Sequence, residues 1–271
     1  MDQETRMMPT EITTMRHLSS TWNGRIKGLL LDAASAWRIS LRMILVIWAV
    51  PVAVALAGVV AALISKDLYK LLSDEDRVAE NLQVLFYAFA LVLCVIITRR
   101  LWKAGRKGIA LLYLAVSLGL VFLIGEELSW GQRIFGWVTP ATFQAVNKQE
   151  ETNIHNIRGV GAAFKWIQLL VGAYGAILPL VVLKSTRLAR YRDLLSWVVP
   201  HYTLLPYFLP MFVWKVFRNL TEVPDRFYFV VEQYNEIIEL ILAIGMLLFM
   251  VYQWRAISEQ DQTGALRMSK R

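Results

Sequence analysis

Six stretches of the chain are apolar for about the length that a helix needs to cross a lipid bilayer. The hydrocarbon core is about 30 Å thick, and a helix crosses it with about 20 residues. Somewhat fewer suffice where flanking side chains reach the head groups. The six stretches are residues 43–65, 82–98, 108–126, 164–183, 194–216 and 231–254. The pattern predicts an all-α, polytopic membrane helix bundle with about six transmembrane helices.

The composition supports the same class. Hydrophobic residues make up 56% of the chain and charged residues 18%, whereas soluble domains average about 45–50% and about 25%. This balance excludes an ordinary soluble domain and an intrinsically disordered chain. The single Cys94 lies in an apolar run and is predicted to be a small core residue.

The fifth stretch carries three prolines, Pro200, Pro206 and Pro210. Proline lacks a backbone N–H and clashes with the preceding helical turn, so it kinks or breaks a helix. Membrane helices tolerate it where neighbouring groups satisfy the exposed backbone. We therefore expect a kinked or broken span in this part of the chain.

The distribution of Lys and Arg predicts the orientation. These residues are about twice as frequent before span 1, between spans 2 and 3, between spans 4 and 5, and after span 6 as in the alternating segments. Cytoplasmic loops retain Lys and Arg, so both termini are predicted to be cytoplasmic. The net charge of +8 then reflects topology and contact with anionic membrane lipids, and nucleic acid is not an expected partner.

The chain reads as one membrane domain with polar ends. The predicted segments are a cytoplasmic tail with an interfacial helix over 1–42, a six-helix domain over 43–257 with an outer-face loop at 128–163, and a cytoplasmic tail over 258–271. In the loop, Thr139-Pro140 predicts the start of a short interfacial helix towards Asn147. The acidic run at 73–76 is predicted to cap span 2.

Two polar groups flank the outer loop. Glu126 and Glu127 end span 3, where acids oppose the helix dipole, and neighbouring positions on a helix point about 100° apart. Glu151 and His155 are four residues apart and would share a face if this segment is helical, which would suit a metal site or an acid/base pair. An incidental histidine in an exposed polar loop is the competing interpretation.

The third polar group is the most specific. Glu232, Asn235, Glu236 and Glu239 follow one stripe of span 6, and Glu239 lies about 10 Å deeper than Glu232. Acids at such depth are costly and usually face the bundle interior or a water-filled cavity. Ion pairing with Arg218 or Arg226 could explain Glu232 but not Glu239.

These groups give three sets of candidate residues. The catalytic candidates are Glu127, His155, Glu236 and Glu239. The substrate-binding candidates are Trp130, Gln132, Arg133, Asn153, Asn156 and Asn235. The metal-binding candidates are Glu126, Glu151, His155, Glu236 and Glu239.

A cluster of carboxylates cannot keep all its negative charge without compensation. Either a divalent metal ion (Mg, Mn, Ca or Zn) binds, or some of the carboxyl groups hold protons. The sequence leaves both alternatives open.

Residues 126–136 (EELSWGQRIFG) and 151–156 (ETNIHN) resemble a pair of motifs in uncharacterised polytopic proteins of the bacterial inner membrane. The resemblance covers little more than a tenth of the chain. It implies an inner-membrane location and a joint role for these residues, and it assigns no substrate.

Three functions remain in contention from the sequence. The favoured one is a metal- or acid/base-dependent hydrolase or transferase acting on a lipid or lipid-linked substrate at the outer face. The second is a proton- or cation-coupled transporter or channel. The third is a membrane scaffold or accessory subunit. The sequence leaves the oligomeric state open.

Overall fold

A computed structural model of the chain describes residues 22–74, 76–147, 151–154, 157 and 159–269. It is all-α and 85% helical, with no strand in the described residues. The helices are α1 (Trp22–Trp37), α2 (Leu41–Ile64), α3 (Lys66–Ser73), α4 (Val78–Lys103), α5 (Lys107–Glu127), α6 (Gln132–Phe135), α7 (Ala141–Gln144), α8 (Gly161–Lys184), α9 (Arg192–Val198), α10 (Leu205–Leu220) and α11 (Asp225–Ser269).

Among the described residues, five helical segments are long and apolar enough to cross a membrane, which is the pattern of a multi-pass membrane protein. They are Leu41–Ile64, Lys66–Lys103, Lys107–Glu127, Gly161–Lys184 and Asp225–Glu259. The predicted all-α membrane architecture is confirmed at this level.

The predicted span 194–216 is not one continuous helix. It falls on α9 and α10, which are separated by extended residues at Val199 and His201 and by a 3-10 turn at Tyr202–Leu204. Pro206 lies at the N-terminal end of α10, where a missing N–H costs nothing. With 16 residues, α10 is about 24 Å long, shorter than the bilayer core. The predicted break is confirmed, and the count of six spans is not supported by helix length.

The chain divides into two compact units, Met1–Val50 and Pro51–Arg271. In the first, α1 is a separate helix before α2, and its interfacial position stays a prediction. Arg38 has a left-handed backbone (φ 49°) that ends α1, since a right-handed helix cannot continue through it.

In the second unit α11 is the central helix. It packs against α3, α4 and α10, while α5 packs on α4 and α8 packs on α10. Accordingly, 56% of the most apolar stretch of α11 is buried, against 22% for α5 and α8. The helix also continues as far as Ser269, through most of the segment predicted as a polar tail.

The contact between α8 and α10 depends on small residues. A Cβ atom at Gly172 would lie 2.6 Å from the backbone N of Phe212, and one at Gly175 would overlap the Phe208 ring. Small residues let membrane helices approach closely. The two glycines therefore fix the separation of α8 and α10.

Opposite ends of the bundle carry different polar contacts. At one end Tyr113 donates to the carbonyl of Trp197 at 2.7 Å, and Gln253 donates to the carbonyl of Ser196 at 2.8 Å, which fastens α9 to α5 and α11. Cys94 is fully buried there, as predicted. The other end holds the candidate site.

Candidate functional site

The candidate residues fall into a loop group and a helix group. The loop group, at the end of α5, contains Glu126, Ser129, Asn147, Glu151 and Asn153. Ser129 Oγ and Asn153 Nδ2 donate to Glu151 Oε2 at 2.9 and 2.6 Å. Asn147 Nδ2 donates to the carbonyl and the side-chain oxygen of Asn153 at 2.8 and 2.9 Å. These contacts fold the loop back onto the end of α5.

Glu126 is almost fully buried and holds two parts of the loop together. Its Oε1 accepts from Trp130 Nε1 at 2.7 Å, and its Oε2 accepts from the backbone N of Ile154 at 2.8 Å. Ser129 and Trp130 have left-handed backbones (φ 45° and 52°). Such conformations cost free energy in non-glycine residues and persist only where the surroundings enforce them. Trp130 donates to Glu126 and Ser129 donates to Glu151, and these hydrogen bonds hold the two residues in their left-handed conformations.

Gln132, a substrate-binding candidate, also joins loop segments. Its Nε2 donates to Thr139 Oγ1 at 2.7 Å, and its Oε1 accepts from the backbone N of Thr152 at 2.8 Å. The short helix predicted after Thr139-Pro140 is present as α7. Both ends of the Gln132 amide are therefore engaged in holding the loop.

Arg133 links the loop to two helices. Its guanidinium pairs with Asp76, lies 2.5 Å from Glu80 Oε1, and donates to the carbonyl of Glu127 at 2.5 Å. Arginine suits such a role because its donors form a rigid fork. The residue before α4 is Arg77, which provides no side-chain cap, and the Asp76 carboxylate of the run 73–76 pairs with Arg133.

The helix group lies between α4, α5, α8, α10 and α11. We define it as Glu127, Lys215, Asn235, Glu236 and Glu239, with Gln83 and Gln168 at its edges. Lys215 Nζ donates to Asn235 Oδ1 at 2.6 Å and lies 3.8 Å from Glu239 Oε1. The side chains of Lys215 and Glu239 are only 4% and 14% exposed. An ammonium and a carboxylate thus face each other inside the bundle.

Glu239 has polar partners on three helices. Besides Lys215 on α10, its Oε1 accepts from Gln168 Nε2 on α8 at 2.8 Å and from Asn235 Nδ2 on α11. Glu232, by contrast, pairs with Arg218 at the half-exposed rim. The predicted stripe of acids is therefore confirmed, and its deepest member faces the bundle interior.

Glu236 and Glu127 form the other side of the helix group. Gln83 Nε2, on α4, donates to Glu236 Oε2 at 3.1 Å and to the Glu236 carbonyl at 3.2 Å. Glu127 lies close enough to Glu236 and Glu239 for their carboxyl groups to interact electrostatically, and it also interacts with Glu80. The buried side chain of Tyr87 lies within electrostatic range of Glu127, Glu236 and Glu239. Three carboxyl groups and one ammonium thus lie near one another in this group.

Not all candidates come together. His155 and Asn156 lie outside the described residues, and residues 151–154 are not helical, so the helical spacing proposed for Glu151 and His155 does not apply there. Within the described part of the chain, no three His, Cys, Asp or Glu side chains converge as a metal site would require. Glu126 and Glu151 have their own loop donors, apart from those of Glu236 and Glu239.

An apolar tip lies beside these groups. Ile134, Phe135, Trp137 and Val138 are all exposed, and the rings of Phe135 and Trp137 stack with centroids 5.5 Å apart. Exposed aromatic side chains of this kind are typical of a membrane–water interface. The tip therefore suits contact with lipid next to the polar site.

Sequence reasoning missed four residues of the site. Lys215, Gln83, Gln168 and Glu80 reach it from helices far apart in the sequence. The only signal available was a polar residue within or at the end of an apolar stretch.

Comparison of the chain with protein-family models, with curated proteins and with solved structures finds no match. The functional argument therefore depends on the geometry alone.

Proposed function

We propose that this chain is a bacterial inner-membrane protein whose helix group carries out acid/base or metal-dependent hydrolysis or transfer on a lipid or lipid-linked substrate. The observation that carries the proposal is the buried contact between Lys215 and Glu239, with Glu127 and Glu236 beside it. Ionisable groups at such depth are expensive, and in membrane proteins they usually mark functional sites.

The position of the helix group favours a site that a substrate reaches from one face of the membrane. Glu127 ends α5 and Lys215 lies near the end of α10, next to the loop that carries the apolar tip. Beyond Glu239, residues 240–251 of α11 include no charged side chain, and Leu240, Ile241 and Ala243 are buried. An apolar helix centre supports a site at one face rather than a polar path across the bilayer.

In the proposed topology the α9–α10 segment makes the fifth of six crossings, both termini are cytoplasmic, and the helix group faces outward. This arrangement follows from the distribution of Lys and Arg along the chain. The exposed tip would then enter the outer leaflet and hold acyl chains near the carboxylates.

Each residue of the helix group has its own role in the proposed reaction. A carboxylate of the group takes a proton from water or from a substrate hydroxyl, which makes that oxygen a nucleophile. The Lys215 ammonium stabilises negative charge that develops on the substrate. Gln168 and Asn235 hold Glu239 in place through their amide donors.

A proton- or cation-coupled transporter is the second candidate. It is favoured by the break between α9 and α10, because discontinuous membrane helices often form transport sites. The acids of the helix group would then bind the coupling ion.

One experiment separates these functions. The purified protein is incubated in proteoliposomes with a bacterial lipid extract, products are followed by mass spectrometry, and proton and cation flux is recorded in parallel. Glu239→Gln is compared with Glu232→Gln, a matched change on the same helix at the exposed rim.

We expect lipid conversion by the wild type and by Glu232→Gln, and none by Glu239→Gln. Ion flux that disappears only in Glu239→Gln would establish the transporter instead. Lipid conversion that persists unchanged in Glu239→Gln would refute the assignment of the site.

A further inference from the structure

The end of the bundle opposite the helix group is rich in basic residues. Residues 99–107, at the junction of α4 and α5, include five basic residues and no acid, and residues 184–193, from the end of α8 into α9, include four basic residues and one acid. α4 ends at Lys103, α5 begins at Lys107 and α8 ends at Lys184, and all three helices are long enough to cross a membrane. The two basic segments therefore lie at the level of the lipid head groups.

Arg106 joins the two segments. Its Nη1 atom lies 3.4 Å from Asp193 Oδ2, and its Cζ atom lies 5.4 Å from the centre of the Trp197 ring. The hydrogen bonds described above hold α9 against α5 and α11 at the same place. Lys107 and Arg192 are the sequence neighbours of this ion pair, so the structure brings them to one surface.

Four cations at this surface have no matching anion. Lys103, Lys107, Arg190 and Arg192 are all exposed, and none of them pairs with a carboxylate of the described residues. The one acid in the two segments, Asp193, already lies beside Arg106. We call these four residues the basic surface, and its charge favours an anionic ligand.

Exposed aromatic and aliphatic side chains lie among these cations. Lys107 Nζ is 5.9 Å from the centre of the Trp102 ring, and Arg190 Cζ is 4.6 Å from that of Tyr191. Both rings are about half exposed, as is Leu194. Such a mixture of charged and apolar groups is typical of a membrane–water interface. It fits a ligand that has both a charged head and an apolar tail.

We propose that the basic surface binds the phosphate group of an anionic phospholipid, whose acyl chains contact the apolar side chains beside it. Guanidinium groups match phosphate oxygens in pairs, and lysine adds a point charge. Basic pockets at the ends of membrane helices bind head groups of this kind. The sequence predicts general contact with anionic lipids, whereas the structure assigns a fixed place to it. The inference is independent of the proposed function, because the helix group lies at the other end of the bundle.

The test measures lipid binding to the full-length chain purified in a neutral detergent. Phosphatidylglycerol with a fluorescent label on one acyl chain is the probe, and binding is followed by fluorescence anisotropy. Unlabelled phosphatidylglycerol, phosphatidylcholine and inorganic phosphate are added as competitors at equal concentration.

Two variants change the basic surface in opposite directions. The first combines Lys107→Gln with Arg192→Gln, and the second is Asp193→Asn. The matched control combines Lys66→Gln with Lys70→Gln, which removes the same charge at the other end of the bundle, where both lysines also lie near an aromatic ring, that of Phe229.

We expect saturable binding that phosphatidylglycerol displaces and that phosphatidylcholine and inorganic phosphate do not. Each basic group near an anionic head group contributes about fivefold to affinity, so the first variant should bind about tenfold or more weakly. The Lys66 and Lys70 control should stay within about twofold of the wild type. Asp193→Asn should bind about two- to fivefold more tightly, because Arg106 loses its acid, and a gain of this kind cannot result from unfolding.

Four results would overturn the inference. Equal displacement by phosphatidylcholine would show that charge is not recognised, and displacement by inorganic phosphate would show an ion site that needs no lipid. A loss of binding in the Lys66 and Lys70 control, with none in the first variant, would place the lipid at the other end. Binding that Asp193→Asn does not tighten would refute the claim that the charge of this surface sets the affinity.

Discussion

The buried contact between Lys215 and Glu239 should contribute strongly to folding, and a double-mutant cycle measures it. At 3.8 Å and an effective dielectric constant of about 20, two unit charges attract by about 4 kcal/mol. Removing one partner of a buried pair costs about 3–5 kcal/mol, because the other charge is left uncompensated. Lys215→Met belongs at the lower end of that range, since Gln168 and Asn235 still donate to Glu239.

The assay is equilibrium unfolding in mixed micelles, in which SDS is titrated and helix content is followed by circular dichroism. We expect Lys215→Met and Glu239→Gln each to lower the free energy of unfolding by about 3 kcal/mol. The double variant should lose no more than either single one, so the coupling energy should be about 3 kcal/mol.

The rim pair Arg218 and Glu232 provides the control. The Glu232 side chain is 47% exposed, and exposed pairs contribute about 0.2–1 kcal/mol. Single effects at Lys215 and Glu239 that add to within about 0.5 kcal/mol would refute the claim that these charges interact inside the bundle.

Two further predictions concern the loop after α5 and the end of the bundle opposite the site. Gly131→Ala should destabilise the protein by about 2 kcal/mol or more, because the backbone has φ 94° and the added Cβ would lie 2.9 Å from the Trp137 ring. The matched Gly136→Ala, at a left-handed residue with open space around it, should cost about 1 kcal/mol. Equal losses of stability in thermal unfolding would contradict the predicted clash with Trp137. Tyr113→Phe should lower the free energy of unfolding by about 1–1.5 kcal/mol, because the Trp197 carbonyl loses the hydroxyl that donates to it at 2.7 Å. An unchanged unfolding midpoint would show that this hydrogen bond does not stabilise the fold.

The sequence predicts the membrane helices and the stripe of acids well, because both are local periodic patterns. The apolar lengths give five of the six predicted spans, and the spacing of Glu232, Glu236 and Glu239 places them on one face of α11. The prolines correctly predict the break before α10. Each of these features depends on residues within a few turns of one another.

Partnerships between helices could not be predicted in this way. Lys215 lies 24 residues before Glu239, and Gln83 lies 153 residues before Glu236. Which helices pack together decides such contacts, and no local pattern records it. For the same reason the sequence predicts Arg133 as a substrate-binding residue, although the structure pairs it with Asp76 and Glu80.

The close packing of α8 on α10 has a consequence for the polar site. Gln168 stands one turn from Gly172 on α8 and reaches Glu239 on α11 at 2.8 Å. The distance between this donor and its acceptor is thus controlled by the missing side chains of Gly172 and Gly175. A methyl group added at either position would push α8 outward and draw Gln168 away from Glu239, so the chemistry of the site could change without the loss of a single polar atom.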